Sequence, residues 1–249
     1  MKDVYLLAEH YDLMHADTDI DFDFYRVMAR QFGGPILELA CGTGRITLML
    51  AKEGHEICGI DLSSEFIQIA EKKRLDKNIF NASFFVRDFR SFNLKRKFRF
   101  IFIPFNSIAH VYSLQDAKSF FRCIRRHMDE NTRFLIDIFN PDPGILSRDA
   151  RKRYPVSEYR MPRTEERVIV TENNHYDRAT QINRIKWYFK IGSKKEIIRE
   201  LPMRIYYPLE LECILTANGF AIENKWGDYQ LDKFDSNSKH QLILASKMP

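Results

Sequence analysis

The chain has 249 residues, 45% hydrophobic and 29% charged, so it can bury a substantial core and fold as one domain with a sub-domain. Lysine and arginine number 39 against 34 acidic residues, a mild excess that permits an anionic ligand without demanding nucleic acid. The four cysteines have neither paired nor metal-type spacing, so we expect them to be reduced thiols. The N-terminus lacks the apolar core of a signal peptide, and no apolar stretch reaches membrane-spanning length. We therefore expect a cytoplasmic protein.

The first part of the chain alternates between predicted helices and short apolar strands. An acidic-aromatic segment, residues 9–32, is predicted to be helical and ends at Gly33-Gly34-Pro35. Five strands follow, separated by amphipathic helices, with sequences "ILELA", "HEICGI", "ASFFVR", "FRFIFIPF" and "RFLIDIF". Ser63 or Ser64 and Ser113 are the predicted helix caps. Such alternation predicts a mostly parallel sheet with helices on both faces, and ligands at the carboxyl ends of its strands.

The pattern changes after Asn140-Pro141. Residues 142–202 are charged and lack a helical period, and "ERVIVTENNHYD", "ATQINRIKWYFKI" and "EIIRELPMRIYY" are candidate antiparallel strands. One helix and two closing strands follow. We therefore predict a doubly wound, Rossmann-like α/β fold with a seven-stranded sheet and an antiparallel β-rich insertion after the fifth strand. The predicted divisions are a helical cap (1–34), a cofactor-binding core (35–141), a β-rich lid (142–202) and the C-terminal part of the core (203–249).

The first predicted strand ends in a glycine turn that leads into a helix. Gly42 and Gly44 would let a ligand approach backbone N–H groups and the positive end of that helix. The third glycine of the dinucleotide fingerprint is replaced by Thr47, so a dinucleotide is disfavoured. Asp61, at the end of the second strand, can accept both hydroxyls of a ribose. The negative charge of Glu38 disfavours a phosphate-bearing cofactor and suits a cationic one. Together with a ribose contact by Asp61, this favours S-adenosylmethionine. Alternatively, both carboxylates only cap or pair with neighbouring groups.

The segments "ILELACGTGR", "GIDLS" and "VRDF" in combination resemble the class I S-adenosylmethionine-dependent methyltransferases, over residues 35–140. The resemblance implies that residues 38–44 hold the methionine part of the cofactor and Asp61 the ribose. It implies also that Asp88 accepts from the adenine amine while Leu62 and Phe89 flank the ring. S-adenosylhomocysteine would be the product, and no metal is expected. The expected cofactor contacts are Glu38, Ala40, Gly42, Gly44, Arg45, Asp61, Leu62, Asp88, Phe89 and Pro104.

The residues after the fourth strand, "IPFNSIAHV", are expected to face the transferred methyl group. They lack the Asp/Asn-Pro-Pro-Tyr/Phe motif with which nucleic-acid amino-methyltransferases hold a base amine, which argues against a DNA or adenine acceptor. "YDLMH" and "FNSIAH" resemble a subgroup of small-molecule N-methyltransferases that includes enzymes acting on nucleotide-linked amino sugars. That resemblance implies catalytic roles for Tyr11 and His110, the latter as a base or as an orienting group. Alternatively, Tyr11 is only an aromatic residue of an amphipathic helix, and His110 only caps a helix.

Charged segments leave further alternatives open. The acidic segment is interpreted as a solvated helix start, or alternatively as a gate for a cationic substrate; it contains Asp17, Asp19, Asp21 and Asp23. Basic runs over 87–99 and 148–153 are interpreted as solvated surface, or alternatively as sites for a nucleotide diphosphate or RNA backbone. The aromatic residues expected to line the acceptor pocket are Tyr154, Tyr159, Trp187 and Tyr206.

The sequence thus favours methylation of a small-molecule amine by direct transfer, in a monomer or a homodimer formed through the lid. An RNA or protein methyltransferase and a cofactor-binding protein without catalysis remain the alternatives.

Overall fold

The computed structural model describes residues 8–15 and 18–248. In chain order the elements are α1 (Ala8–Met14), α2 (Phe22–Phe32), β1 (Ile36–Leu39), α3 (Arg45–Lys52), β2 (Ile57–Asp61), α4 (Ser64–Asp76), β3 (Ala82–Val86), β4 (Phe100–Ile103), α5 (Leu114–Arg126), β5 (Arg133–Phe139), α6 (Pro143–Leu146), β6 (Tyr154–Arg160), β7 (Arg167–Asp177), β8 (Ile182–Ile191), β9 (Ile197–Arg204), α7 (Pro208–Ala217), β10 (Phe220–Trp226) and β11 (His240–Lys247). A short 3₁₀ turn spans Ser107–His110. Within the described ranges, no helix is both long and apolar enough to cross a membrane.

Seven strands form one sheet in the order β10-β11-β5-β4-β1-β2-β3. The five strands from β5 to β3 in that order run parallel, whereas β11 lies antiparallel to β5 and β10 antiparallel to β11. Every residue of β1 and β4 is buried, as expected for parallel strands covered on both faces. The doubly wound, mostly parallel fold predicted from the sequence is therefore confirmed, and the carboxyl ends of β1, β2, β4 and β5 lie along one edge.

The chain divides into two compact units. The core unit comprises Asp19–Asn140 and Tyr206–Pro249, and the β-rich unit comprises Met1–Thr18 and Pro141–Ile205. The β-rich unit contains a four-stranded antiparallel sheet, β6-β7-β8-β9, around a small cluster of Val168, Val170, Phe189 and Ile191. The predicted antiparallel insertion is confirmed. The sequence did not indicate β6, because most of its side chains are at least partly exposed and carry no alternating apolar signal.

The predicted helix over residues 9–32 is wrong as a single element. The structure has two helices there, Ala8–Met14 and Phe22–Phe32. The segment between them contains three aspartates, residues that favour caps and turns over helix interiors. The predicted caps are confirmed elsewhere: Ser63 accepts from the Phe66 N–H at 3.2 Å and Ser113 from the Asp116 N–H at 3.0 Å.

Candidate functional site

The glycine turn after β1 is a tight left-handed bend at the carboxyl edge of the sheet. Ala40, Gly42 and Gly44 have φ values of 54°, 56° and 82°. A Cβ atom built on Gly44 would lie 2.8 Å from the Phe84 ring and 3.3 Å from the Ala70 side chain. Glycine is required at position 44 by both the backbone conformation and the packing of a protein side chain. The close neighbour at Gly44 is therefore Phe84 of β3.

Alanine at Gly44 is expected to destabilise the fold by about 2–4 kcal/mol, since left-handed strain and overpacking add together. Gly54 is the control, because its φ of 94° is also positive and a Cβ there would meet nothing within 4 Å. Gly54→Ala should cost only about 1 kcal/mol. Equal losses for the two variants in urea unfolding would contradict the packing role of Phe84.

Asp61 ties the end of β2 to this bend. Its Oδ2 accepts from the Gly42 N–H at 2.9 Å, and its Oδ1 accepts from the Ser63 N–H at 2.8 Å. Asp61 therefore organises its own loop, as the alternative interpretation held. Each carboxylate oxygen has two lone pairs, so these two hydrogen bonds alone do not prevent either oxygen from accepting from a ribose hydroxyl. The structure brings together the two sequence motifs on which the cofactor prediction rests.

Glu38 is buried beneath the bend, with 2% of its surface exposed. The Thr47 hydroxyl donates to its carboxyl group. Burial raises the pKa of Glu38 from 4.5 to about 8, and the hydrogen bond from Thr47 only partly opposes this. In the ligand-free protein Glu38 is thus mainly protonated at neutral pH, although the Arg45 charge also lowers its pKa. The sequence predicted a negative charge at this position, and the burial of the side chain is the reason for the difference.

A raised carboxyl pKa should make the ligand-free protein lose stability as pH rises. The unfolded chain releases the Glu38 proton near pH 4.5, whereas the folded chain keeps it until about pH 8. Stability therefore falls through that window, by about 1.4 kcal/mol for each unit of pKa difference. Glu38→Gln, which keeps an acceptor for Thr47, should remove this fall. Melting temperatures at pH 5, 7 and 9 test this, and parallel curves for the two proteins would contradict it.

Arg45, the first residue of α3, pairs with the aspartate that directly precedes α2. Its guanidinium donates to both carboxylate oxygens of Asp21, at 2.6 and 2.5 Å, and lies over the rings of Phe22 and Phe105. Asp21 is 1% exposed, so its interpretation as a solvated residue is wrong. Asp23 is an exposed residue of the same segment, and Asp17 lies outside the described residues. The pair fixes the start of α3 against α2; a cofactor contact by Arg45 stays a prediction.

The residues expected around an adenine ring lie after β2 and β3. Leu62 is 59% exposed, which leaves an apolar surface beside Asp61. Phe89 packs against Phe120, with ring centroids 5.6 Å apart. Asp88 accepts from the guanidinium of Arg90, with the shortest contact at 2.7 Å. Burial raises the pKa of Asp88, but hydrogen bonds from Arg90 outweigh it and leave the pKa below its ordinary value. Arg90 would share this carboxylate with any adenine amine.

The loop after β4 carries the candidate catalytic histidine. Pro104 is buried, and Phe105 and Asn106 both have positive φ, 53° and 64°. The Asn106 side-chain oxygen accepts from the Phe139 N–H at 2.7 Å, so this side chain shapes the loop. His110 ends the 3₁₀ turn, half-buried, with its Nδ1 3.1 Å from the Tyr112 hydroxyl. The imidazole is thus held by a polar neighbour at the carboxyl end of the sheet.

A buried carboxylate network next to this loop was missed by the sequence analysis. Asp137 of β5 is 1% exposed and accepts from the Tyr25 hydroxyl at 2.9 Å, the Tyr229 hydroxyl at 3.1 Å and the Phe105 N–H at 3.2 Å. The pKa of both tyrosines is raised, first by their burial and secondly by the negative charge of Asp137. The network locks the loop after β4 to α2 and β5. The sequence signal that could have indicated this network is the single carboxylate, Asp137, inside the apolar run "RFLIDIF".

Tyr11 belongs to the β-rich unit, on α1. It is half-buried and its ring lies 4.6 Å from that of His15. The neighbouring His10 is buried, with Nδ1 2.6 Å from the Tyr159 hydroxyl, and its ring contacts Phe189 at 5.7 Å between centroids. These contacts anchor α1 to the antiparallel sheet of the same unit. Tyr11 and His110 therefore come from different units.

The basic run that opens the β-rich unit is largely paired with carboxylates. Arg148 lies 3.1 Å from Glu172 and stacks over Tyr154, while Arg153 lies 2.6 Å from Glu196. Arg151 similarly pairs with an adjacent aspartate. Trp187 donates to Glu172 at 3.0 Å. Since these cations are already compensated, the run is poorly suited to hold a nucleotide diphosphate or an RNA backbone.

Tyr206 was expected to line a pocket of the lid, and that prediction is wrong. It belongs to the core unit, is 1% exposed and donates to the Val111 carbonyl at 2.6 Å. Over residues 8–15 and 18–248, the structure also contains no cluster of three histidine, cysteine or acidic side chains that could hold a metal ion.

Comparison with known proteins shows which enzymes this chain resembles. Residues 36–131 match the family model described as a methyltransferase domain. Over 220 residues the chain is 29% identical to the cypemycin N-terminal methyltransferase of a Streptomyces species, covering 86% of this chain and 84% of that protein. Over 112 residues it is 30% identical to the dTDP-3-amino-3,6-dideoxy-alpha-D-glucopyranose N,N-dimethyltransferase of Streptomyces fradiae, covering 42% of each.

A solved structure agrees with the fold over nearly the whole chain. The S-adenosylmethionine-dependent methyltransferase from Clostridium acetobutylicum ATCC 824 superposes with a TM-score of 0.78 and 23% identity, covering 98% of both chains. The domain match lies on the glycine turn and the strands around it. This chain therefore carries a methyltransferase domain over residues 36–131 and acts as an S-adenosylmethionine-dependent methyltransferase.

Proposed function

We propose that this enzyme transfers a methyl group to an amine nitrogen of a small-molecule acceptor. The observation that carries the proposal is the half-buried His110, held beside Tyr112 in the loop that follows β4. Two relatives support it by name, since one is an N-terminal methyltransferase and the other an N,N-dimethyltransferase of an amino sugar.

The residues around the glycine turn fit the cofactor. Asp61 offers two carboxylate oxygens for the ribose hydroxyls, and exposed Leu62 offers an apolar surface for the adenine. Asp88 would accept from the adenine amine. Glu38 would ionise as a cation arrives, because an opposite charge lowers a carboxyl pKa. When bound, S-adenosylmethionine supplies a methyl group on a positively charged sulfur.

The chain's own contribution to the reaction is alignment and proton removal. An acceptor amine must be unprotonated to react, and its ordinary pKa lies near that of lysine, about 10. In this proposal His110 accepts the proton that the acceptor nitrogen gives up, or orients that nitrogen, and Tyr11 lines the acceptor side. The β-rich unit, which carries Tyr11, is proposed to select the acceptor. We also propose action in the cytoplasm, since all four cysteines are free thiols.

The proposal is tested by incubating the enzyme with isotopically labelled donor and a panel of acceptors. The panel contains amino sugars, peptides with free N-termini, matched compounds with a hydroxyl in place of the amine, and RNA. We expect label on amine nitrogens, identified by mass spectrometry of the products. Label only on hydroxyl compounds or on RNA would contradict the proposal. Cofactor binding without turnover on any acceptor would favour a binding protein instead.

A further inference from the structure

A basic cavity of about 640 Å³ lies in the core unit between α5 and the end of α7. Its basic lining residues are Lys118, Arg122, Arg125, Arg126 and Lys247. Residues 118–126 of α5, the end of α7 with the two residues after it, and the end of β11 form its walls. Because β11 runs antiparallel to β5, with Ala245 opposite Phe134, Lys247 lies near the amino end of β5. The cavity thus opens at the edge of the sheet opposite the glycine turn.

The cations of this cavity have no carboxylate partner among the described residues. Among the residues that the structure describes, none provides a carboxylate within ion-pair distance of any of the five cations. The carboxyl ends of α5 and α7 contribute partial negative charges of about 0.5 each. These sum to about one negative charge against five positive ones, so the cavity retains a strong positive potential.

Arg125 is built into the wall of the cavity. Its Nε is buried without a hydrogen-bond partner among the described residues, and its Nη1 reaches the Asn218 carbonyl only at 3.5 Å. Gly219, with φ of 79°, leaves room for the guanidinium, because a Cβ there would lie 2.7 Å from Nη1. A buried donor without a partner is costly. The unpartnered Nε is itself buried, so Arg125 contributes to the cavity wall its positive charge and its other N–H donors.

We propose that this cavity is a second binding site, for a small, phosphate-rich anion. Guanidinium groups match the geometry of phosphate oxygens, and several cations around one cavity favour a ligand with more than one phosphate. The volume falls within the range of small-ligand sites. The lining contains no aromatic side chain on which a base could stack, which favours recognition of phosphates over recognition of a nucleic acid strand. The site is separate from the methyl-transfer site and does not depend on the acceptor.

Isothermal titration with inorganic tripolyphosphate at low ionic strength tests this site. The double variant Arg122→Gln/Arg126→Gln removes two exposed cations of the cavity, and Lys72→Gln/Lys77→Gln removes two exposed cations of the α4 region outside it. We expect the wild type and the lysine variant to bind alike, and the arginine variant to bind at least about tenfold more weakly. S-adenosylhomocysteine affinity and melting temperature should be similar in all three proteins.

Three outcomes would overturn the proposal. The first is that the wild type does not bind tripolyphosphate. The second is that both double variants weaken tripolyphosphate binding equally, which would show that binding depends only on the overall positive charge of the protein. The third comes from a parallel titration with a single-stranded RNA oligonucleotide. RNA that binds more tightly than tripolyphosphate, and loses this binding in the arginine variant, would assign the surface to nucleic acid.

Discussion

Replacing Asp61 with alanine should weaken S-adenosylmethionine binding by about a hundredfold or more. The substitution removes the acceptors proposed for the ribose hydroxyls. It also frees the N–H groups of Gly42 and Ser63, which the carboxylate now holds at 2.9 and 2.8 Å, so the glycine turn loses a restraint. Hydrogen bonds to a charged group contribute about 1.5–3 kcal/mol each, and two such losses give this magnitude. Titration calorimetry measures the affinity directly.

The matched control for this variant is Asp61→Asn. The amide keeps one acceptor oxygen for the loop N–H groups but has no charge and fewer acceptors, so its affinity should fall between wild type and alanine. A cofactor analogue lacking the ribose hydroxyls separates the two roles of Asp61. It should bind wild type weakly and lose little further affinity in the alanine variant. Unchanged S-adenosylmethionine affinity in Asp61→Ala would remove Asp61 from the cofactor site.

Replacing His110 with alanine should lower turnover by about a hundredfold, the lower range for a general base, and leave cofactor affinity nearly unchanged. The imidazole lies in the loop after β4, whereas the residues proposed for the ribose and methionine parts follow β1 and β2. Steady-state turnover on an acceptor found in the panel, compared with S-adenosylhomocysteine titration, separates these effects. The prediction rests on the proposed role of His110.

Tyr112→Phe is the control for the histidine variant, because it removes the hydroxyl that lies 3.1 Å from His110 Nδ1 and keeps the ring. Its effect on turnover should be smaller than that of His110→Ala, since the imidazole remains. Turnover that survives in His110→Ala would show that desolvation of the amine suffices, and the base role would be withdrawn. A parallel loss of cofactor affinity would indicate instead that His110 maintains the loop.

The glycine turn and its proximity to Asp61 could be predicted because their signals are local in sequence. Gly42 and Gly44 interrupt an apolar strand at a point where the backbone does adopt positive φ, and Asp61 ends the next apolar run. Parallel strands place such turns at one edge of the sheet, so the two motifs had to meet. The antiparallel insertion was equally visible, since β7 and β8 alternate and lie close together in the chain.

The buried ion pair and the tyrosine network could not be predicted because their partners are distant in sequence. Arg45 and Asp21 are 24 residues apart, and Tyr25 and Asp137 are 112 apart. Local periodicity says nothing about such pairs. The charge state of Glu38 was also beyond the sequence, because it depends on how completely the folded chain removes that carboxyl group from water.

A crystal structure of the enzyme with S-adenosylhomocysteine is the most direct test of the central claim. We predict that both ribose hydroxyls donate to the Asp61 carboxylate and that the amino-acid part lies along the turn from Glu38 to Gly44. A nucleoside bound elsewhere, or bound at the turn with its ribose away from Asp61, would contradict the proposed site.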